Sequence, residues 1–130
     1  MEMVAQTLVG MLERRAELTP ERLVYRFLED DETEPHQVLT YGELDRHARA
    51  IASAMEQTGV EDPAVLLYFP GLDFLAAFFG CLYTGVPAIP AYPPGRRTAA
   101  RLRAILADSG AGAILTTERA RSRLGAATGC

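Results

Sequence analysis

The chain has 130 residues, enough for one domain, or part of one, built around a single modest core. Its formal net charge of −4 provides no global basic field, which argues against nucleic acid or an anionic membrane surface as a partner. All thirteen basic residues are arginine, so mechanisms that need a lysine amine, such as a Schiff base or a Walker lysine, are excluded for these residues.

A short surface helix and a β-hairpin are predicted at the beginning of the chain. Apolar residues at helical spacing favour a helix over Thr7–Glu17 that ends before Pro20. The strand-forming residues of Arg22–Leu28 and the short return strand Val38–Thr40 predict the hairpin. Between them, the acidic run Glu29–Glu34 matches no metal-binding loop and is interpreted as a solvated hairpin tip.

The best specified element is the helix that follows Thr40. Thr40 and Glu43 form a capping-box pattern, and Leu39 and Leu44 flank it as a hydrophobic staple. Gly59 is predicted to end the helix. The positions predicted to face the core are Tyr41, Leu44, Ala48, Ile51, Ala52 and Met55. Two charge pairs with a spacing of four residues are predicted on the outer side, Glu43 with His47 and Asp45 with Arg49.

From Ala64 onward, apolar strands alternate with helices. The continuous apolar run Ala64–Phe69 has the pattern of a strand buried on both faces. The elements predicted after it are a largely buried helix between Leu72 and Gly85, a short strand over Val86–Ala91, a helix ending at Gly110, another buried strand over Gly112–Thr116 and a last helix capped by Thr117. This βαβαβ order predicts an α/β fold with a parallel sheet, right-handed crossovers and flanking helices. The first helix, hairpin and capped helix occupy residues 1–62, and the βαβαβα unit occupies residues 63–130.

A proline-rich stretch follows the most apolar part of the chain. Pro87 and Pro90 lie in a predicted strand, which pairs incompletely unless both positions face away from the neighbouring strands. Pro93 and Pro94 favour an extended, polyproline-like conformation where the chain leaves this strand. The stretch is interpreted as a rigid strand-to-helix connector, with direct substrate contact as the alternative. Glycines and prolines also interrupt the longest apolar run, so no membrane helix is predicted, and without a signal peptide the chain is expected in the cytoplasm.

No catalytic constellation or metal site is identified from the sequence. Ligands of a parallel sheet bind beyond the carboxyl ends of its strands, yet none of the turns there has a Gly-rich nucleotide fingerprint. His36 and His47 are assigned to solvated positions. Cys81 is interpreted as a small core residue, and neither it nor Cys130 belongs to a metal-spaced pair. Three serines lie outside any nucleophile elbow: Ser53, Ser109 and Ser122.

A local basic cluster follows the prolines. Its members are Arg96, Arg97, Arg101 and Arg103. Because arginines near a helix start oppose its dipole, a phosphate could compensate them. The alternative is a solvated helix face whose charges pair with acids elsewhere in the fold. Both interpretations stay open, and no cofactor-binding residue is assigned.

Four segments resemble the adenylate-forming superfamily of acyl-activating ligases. Thr40–Leu44 resembles its LTYxEL opening, Gly71–Pro87 resembles its helix-and-strand pair, and Ala104–Thr117 resembles its ILxDSGAxxxLT segment. Ala91–Pro94 (AYPP), together with FFGCLYTG, resembles the fatty acyl-AMP ligases in particular. The resemblance extends from Leu8 to Leu124.

This resemblance implies the N-terminal part of a larger ligase domain. Such a ligase uses ATP and magnesium to convert a fatty acid to an acyl-adenylate, and passes the acyl group to an acyl carrier protein in lipid or polyketide biosynthesis. The family's phosphate loop and catalytic lysine match nothing here, so the fragment alone is expected to be inactive and to bind no cofactor. Its apolar surfaces are expected to cause self-association. The alternatives are a non-catalytic adenylation-like interaction module and a fragment of an acyl-CoA ligase.

Overall fold

The computed structural model describes residues 7–27, 37–69, 71–91, 93 and 99–122. Within these ranges the helices and strands follow the predicted order. They are α1 (Leu8–Leu18), β1 (Leu23–Phe27), β2 (Gln37–Thr40), α2 (Tyr41–Thr58), β3 (Ala64–Leu67), α3 (Leu72–Thr84), β4 (Ala88–Ala91), α4 (Ala99–Ser109) and β5 (Ala113–Thr116). A further helical turn begins at residue 118 and is described as far as residue 122. None of these helices is long and apolar enough to cross a membrane.

The fold is organised around a three-stranded parallel sheet in which β3 lies between β4 and β5. All four residues of β3 are buried because helices cover both faces of the sheet. Ala64 and Leu66 pack against α2 and α3 on one face, whereas Val65 and Leu67 pack against α4 on the other. The predicted α/β fold is therefore confirmed, and α2, from the first half of the chain, shares its core with the sheet.

The backbone of β4 accommodates its prolines by alternation. The N–H of Ala64 donates to the carbonyl oxygen of Pro87 at 2.9 Å, so Pro87 and the alternate residues Ile89 and Ala91 face β3. Pro90 lies between them and directs its backbone to the outer side of the sheet. Its missing N–H therefore removes no hydrogen bond between β4 and β3, and the strand pairs along its whole length.

The start of α2 has the geometry that its sequence predicts. The hydroxyl of Thr40 accepts from the N–H of Glu43 at 3.1 Å, and Oε1 of Glu43 accepts from the N–H of Thr40 at 2.9 Å. Leu39 and Leu44 are buried in one apolar cluster, which confirms the hydrophobic staple. The antiparallel hairpin β1–β2 leads into this cap. The helix ends as predicted at Gly59, whose φ of 73° is left-handed.

Small residues of α3 allow α2 to approach it closely. Gly80 of α3 faces the side chain of Ile51 on α2, and because Gly80 has no side chain of its own, the two helices come close together there. The phenylalanines of α3 are half-buried and lie to the sides of this contact. The fully buried face of α3 therefore consists of its small residues, which are Ala76, Ala77, Gly80 and Cys81.

A polar network connects α1, α2 and α3. The hydroxyl of Tyr83 donates to Oδ1 of Asp45 at 2.6 Å. Arg49 Nε lies 3.0 Å from Asp45 Oδ2, which confirms that predicted pair, and Arg49 Nη2 lies 3.3 Å from Glu13. The predicted pairing of Glu43 with His47 gives way to the cap, because Glu43 directs its Oε1 to the Thr40 amide. The Arg49 side chain is 56% exposed, so its ion pairs mainly fix the positions of the helices and contribute little stability.

The prediction that β5 is buried on both faces was wrong. Ile114, in the middle of the strand, is 40% exposed, and its neighbours are half-buried. Among the described residues β5 pairs with β3 alone, so it occupies an edge of the sheet. A short apolar run has the same pattern at an edge as at the centre of a parallel sheet, and its sequence therefore could not distinguish the two positions.

Candidate functional site

The carboxyl ends of β3 and β5 are joined by a short polar contact. Such ends form the ligand-binding edge of parallel α/β sheets. The hydroxyl of Thr116 donates to the carbonyl oxygen of Leu67 at 2.7 Å. Directly after it, the hydroxyl of Thr117 accepts from the N–H of Ala120 at 3.1 Å, which confirms Thr117 as the predicted cap. The turns that follow the two strands are therefore held in a fixed relation to each other.

Arg119 supplies a cation at this edge. Its guanidinium carbon lies 4.5 Å from the centre of the Phe69 ring, and this cation–π contact joins the turn after β5 to the turn after β3. Nearby in sequence, α3 begins after Gly71, whose φ of 155° and ψ of −170° favour glycine. A guanidinium oriented by an aromatic ring suits an anionic group. Among the described residues, however, this edge contains no pair of nucleophile and base, so it offers binding rather than bond formation.

The histidine and serines named from the sequence do not come together. His47 is exposed on α2, as predicted. The hydroxyl of Ser109 accepts from the N–H of Ala111 at 3.3 Å and thereby stabilises the turn after α4. Ser53 and Ser122 are exposed on separate elements. Throughout the described ranges, no three His, Cys, Asp or Glu side chains are close enough to hold a metal ion.

Cys81 is buried in the core between α3 and the sheet, as predicted. Burial raises the pKa of its thiol, which disfavours the reactive thiolate. Of the basic cluster, Arg101 and Arg103 are exposed on α4. The other residues singled out from the sequence lie outside the described residues, namely Glu29–Glu34, His36, Tyr92, Arg96, Arg97 and Cys130.

An apolar pocket that the sequence analysis did not predict lies between α1, β1, α2 and α3. Its volume is about 460 Å³. Phe74, Phe78 and Phe79 supply its aromatic lining, and Leu8 and Met11 of α1 line it while remaining 49% and 41% exposed. The aromatic residues at positions i, i+4 and i+5 of α3 were the available signal, because the close contact with α2 uses only small residues.

A second, more open groove runs along β5 on the side of α2. Its volume is about 600 Å³, and Met55, Val60 and Tyr68 contribute to its lining. The Tyr68 ring meets the Phe74 ring edge to face at a centroid distance of 6.4 Å. Burial, with a smaller contribution from the charge of Asp73, raises the pKa of Tyr68 to about 12. This phenol is therefore protonated at neutral pH and is unsuited to act as a base.

Comparison with protein families shows which family combines this parallel sheet with the binding edge described above. The family model described as AMP-binding enzyme matches residues 12–129. The chain belongs to the AMP-binding enzyme family. The resemblance to the adenylate-forming superfamily is thereby confirmed.

Fatty-acid ligases are prominent among the relatives of this AMP-binding segment. The medium-chain-fatty-acid–[acyl-carrier-protein] ligase JamA of Moorena producens is 48% identical over 115 residues, which cover 85% of this chain and 19% of JamA. The long-chain-fatty-acid–AMP ligase FadD32 of Mycolicibacterium smegmatis is 38% identical over 119 residues, covering 88% of this chain and 19% of FadD32.

A solved structure shows that the fold is shared as well. The fatty acyl-adenylate ligase from Legionella pneumophila, crystallised with acyl adenylate and pyrophosphate, superposes with a TM-score of 0.82 at 31% identity. The match covers 92% of this chain and 21% of that chain. The AMP-binding segment thus spans about a fifth of the length of these relatives.

Proposed function

We propose that residues 1–130 form part of the N-terminal subdomain of a fatty acyl-AMP ligase. The proposed enzyme activates a fatty acid with ATP in the cytoplasm and transfers the acyl group from the acyl-adenylate to an acyl carrier protein. The observation that carries the proposal is the 48% identity to JamA, whose name describes this class of reaction. The shared fold of the Legionella ligase, which was crystallised with an acyl adenylate, supports the same class.

In the proposed reaction a fatty-acid carboxylate oxygen attacks the α-phosphorus of ATP, and pyrophosphate leaves. Cationic groups and magnesium stabilise the charge that develops on the phosphate oxygens in such reactions. The described residues contain no cluster of carboxylates that fits a magnesium ion, so no step is assigned to a metal held by this segment. What the segment supplies is the sheet and the cation of Arg119 at its carboxyl edge.

We further propose that the 130 residues alone do not form acyl-adenylate. The chain has no lysine, and the described residues contain no nucleophile–base pair. Purified alone and given ATP, magnesium and a medium-chain fatty acid, the chain is expected to show no ATP–pyrophosphate exchange. Exchange above that of a heat-denatured sample would contradict this part of the proposal.

The ligase assignment is tested with a chimera in which this chain replaces the matching segment of JamA. Because the two segments are 48% identical, the interfaces with the rest of JamA are expected to be largely retained. The expected result is fatty-acid-dependent pyrophosphate exchange, followed by a mass increase of the carrier protein that equals one acyl group. Parent JamA, expressed and assayed in parallel, is the matched control.

The chimera also separates the alternatives. A chimera that is monodisperse and melts cooperatively, yet exchanges no pyrophosphate with any fatty acid, contradicts the ligase assignment. Exchange followed by acyl transfer to coenzyme A, with none to the carrier protein, contradicts only the proposed acceptor. Activity with an amino acid in place of a fatty acid contradicts the proposed substrate class.

A further inference from the structure

The last residue of β3 and the two residues after it each contact a different part of the fold. The carbonyl oxygen of Leu67 accepts from the hydroxyl of Thr116 at 2.7 Å. The ring of Tyr68 packs edge to face against the first turn of α3. The guanidinium of Arg119 lies over the ring of Phe69 at 4.5 Å. The turn after β3 is therefore held by β5, by α3 and by the segment that follows β5.

The contact with Arg119 is the one closest along the chain to the beginning of α3. A single residue separates Phe69 from Gly71, whose φ of 155° favours glycine. The path of the chain from the sheet into α3 therefore passes directly through the residue that Arg119 restrains. Because this turn lies at the carboxyl end of β3, it belongs to the edge where parallel sheets bind ligands.

Local helix preference does not explain an arginine at position 119. Thr117 caps the helical turn that begins at residue 118, and a cation in a first helical turn opposes the helix dipole. Among the described residues the guanidinium makes no ion pair that would compensate for this. The Phe69 ring is thus the group that orients Arg119. Since Arg119 is exposed, this contact contributes only modestly to stability, and its main effect is on the position of the turn.

We propose that Arg119 is a positioning residue for the reaction at this edge, and that it acts through the ring of Phe69 without touching the reacting atoms. This inference rests on the ligase function proposed above. Reacting groups must be held within about 0.5 Å of their productive geometry, so the elements that line a site must themselves be fixed. Direct contact between the guanidinium and a substrate anion is the alternative that the test distinguishes.

The kinetic test places Arg119→Met, Phe69→Leu and the double variant in the JamA chimera, with pyrophosphate exchange as the readout. Each single variant is expected to lower kcat about tenfold, while the KM values for ATP and fatty acid change less than about twofold. The double variant is expected to lower kcat by the same factor of about ten, because both substitutions break one contact. Circular dichroism verifies that the variants fold.

Two control variants accompany these measurements. Phe69→Tyr keeps an aromatic ring under the guanidinium and is expected to retain the kcat of the unsubstituted chimera. Arg121→Met makes the same chemical change as Arg119→Met at an exposed position of the same helical turn, and it is also expected to retain kcat.

The kinetic results that would overturn the proposal are specific. An unchanged kcat in Arg119→Met would do so, as would losses that multiply to about a hundredfold in the double variant. A KM for ATP or fatty acid that is raised by Arg119→Met but not by Phe69→Leu would also overturn it, because that pattern indicates direct contact with the substrate.

A second measurement, on the 130-residue chain, does not depend on ligase activity. NMR order parameters of the Phe69, Gly71 and Leu72 amides report motion of the turn. Arg119→Met is expected to lower them from about 0.85, the value of rigid backbone, toward about 0.6, whereas Arg121→Met leaves them unchanged. Equal order parameters in the two variants would overturn the positioning role. An unsubstituted chimera without pyrophosphate exchange would instead contradict the ligase function, and the order parameters would then decide by themselves whether Arg119 holds the turn.

Discussion

Gly80 of α3 lies so close to Ile51 of α2 that a β-carbon at residue 80 would be 2.7 Å from Ile51 Cγ2. The same β-carbon would be 2.9 Å from Ile51 Cβ and 3.2 Å from the carbonyl oxygen of Ala48. The first atom belongs to a branched side chain and the last to the backbone, so a change of rotamer cannot relieve the contact fully. This glycine therefore sets the distance between the two helices.

Gly80→Ala is expected to destabilise the fold. Alanine gains about 1 kcal/mol of helix propensity over glycine. Forcing the helices apart costs about 1–3 kcal/mol, and the loss is expected to exceed the gain because backbone is involved. Urea denaturation followed by circular dichroism measures the difference. In an Ile51→Ala background, Gly80→Ala is expected to lower the free energy of unfolding by a smaller amount, because Ile51 Cγ2, the closest atom, is absent. An equal cost in both backgrounds would contradict the assigned contact.

The hydrogen bond from Tyr83 to Asp45 is expected to contribute measurably to stability. Tyr83→Phe removes the donor and leaves Asp45 with Arg49 as a partner, so a loss of about 1 kcal/mol is expected. The measurement is the urea midpoint at neutral pH. Tyr41→Phe makes the same chemical change on α2, where the tyrosine hydroxyl has no hydrogen bond to another described residue, and is expected to shift the midpoint less. A larger effect of the control would contradict the assignment.

Alkaline pH is expected to destabilise the fold through the half-buried phenol of Tyr68. In the unfolded chain a tyrosine titrates near a pKa of about 10. In the folded state the pKa of Tyr68 is raised to about 12, chiefly by burial. The folded state thus holds the proton more tightly, so stability is unaffected below the unfolded pKa and falls as pH rises through the folded one. Tyr68→Phe is expected to make this fall shallower in urea titrations at successive pH values. An unchanged slope would rule out Tyr68 as a cause.

The capping box of α2 is expected to contribute more to the free energy of unfolding than the simple cap of α1 does. Thr40→Ala removes the acceptor for the Glu43 amide and is expected to cost about 1 kcal/mol. Thr7→Ala, which removes the cap of α1 at an exposed position, is the matched control and is expected to cost less. Thermal melting of both variants compares them, and a larger loss from Thr7→Ala would be inconsistent with this ranking.

Acid is expected to weaken the same cap. The hydrogen bonds from Thr40 lower the pKa of Glu43 below its usual value. The contribution of the carboxylate is therefore present above the unfolded pKa and is lost as pH falls through the folded one. Glu43→Gln is expected to remove this share of the pH dependence while leaving a side-chain acceptor in place. The measurement is the melting temperature between neutral and acidic pH, and identical profiles for both proteins would contradict the role of Glu43.

Local signals determined how much of the fold could be predicted. Thr40, Glu43 and Gly59 specify both ends of α2 through contacts within one or two turns, so the sequence alone located this helix. The central strand was predictable because burial on both faces demands the continuous apolar run of Ala64–Leu67. The edge position of β5 could not be predicted, because the order of strands in a sheet depends on pairing between segments that are distant in sequence.

The candidate site was less predictable than the fold for the same reason. The contact of Arg119 with Phe69 joins two turns that are distant in sequence, and neither residue has a local pattern that identifies it. The apolar pocket arises only where α1, β1, α2 and α3 meet. The family, in contrast, was evident from short segments such as AYPP, because they preserve a resemblance whatever contacts they make.

The outward orientation of Pro90 limits how large an assembly of this protein can become. Fibres grow when each molecule offers two receptive edges, so that every addition leaves a new end for the next. Here the backbone of Pro90 points outward and has no N–H, so β4 lacks a donor that an incoming strand needs. A sheet that is receptive at one edge at most cannot extend repeatedly by strand addition, so the described sheet is not expected to grow into amyloid-like polymers through β4.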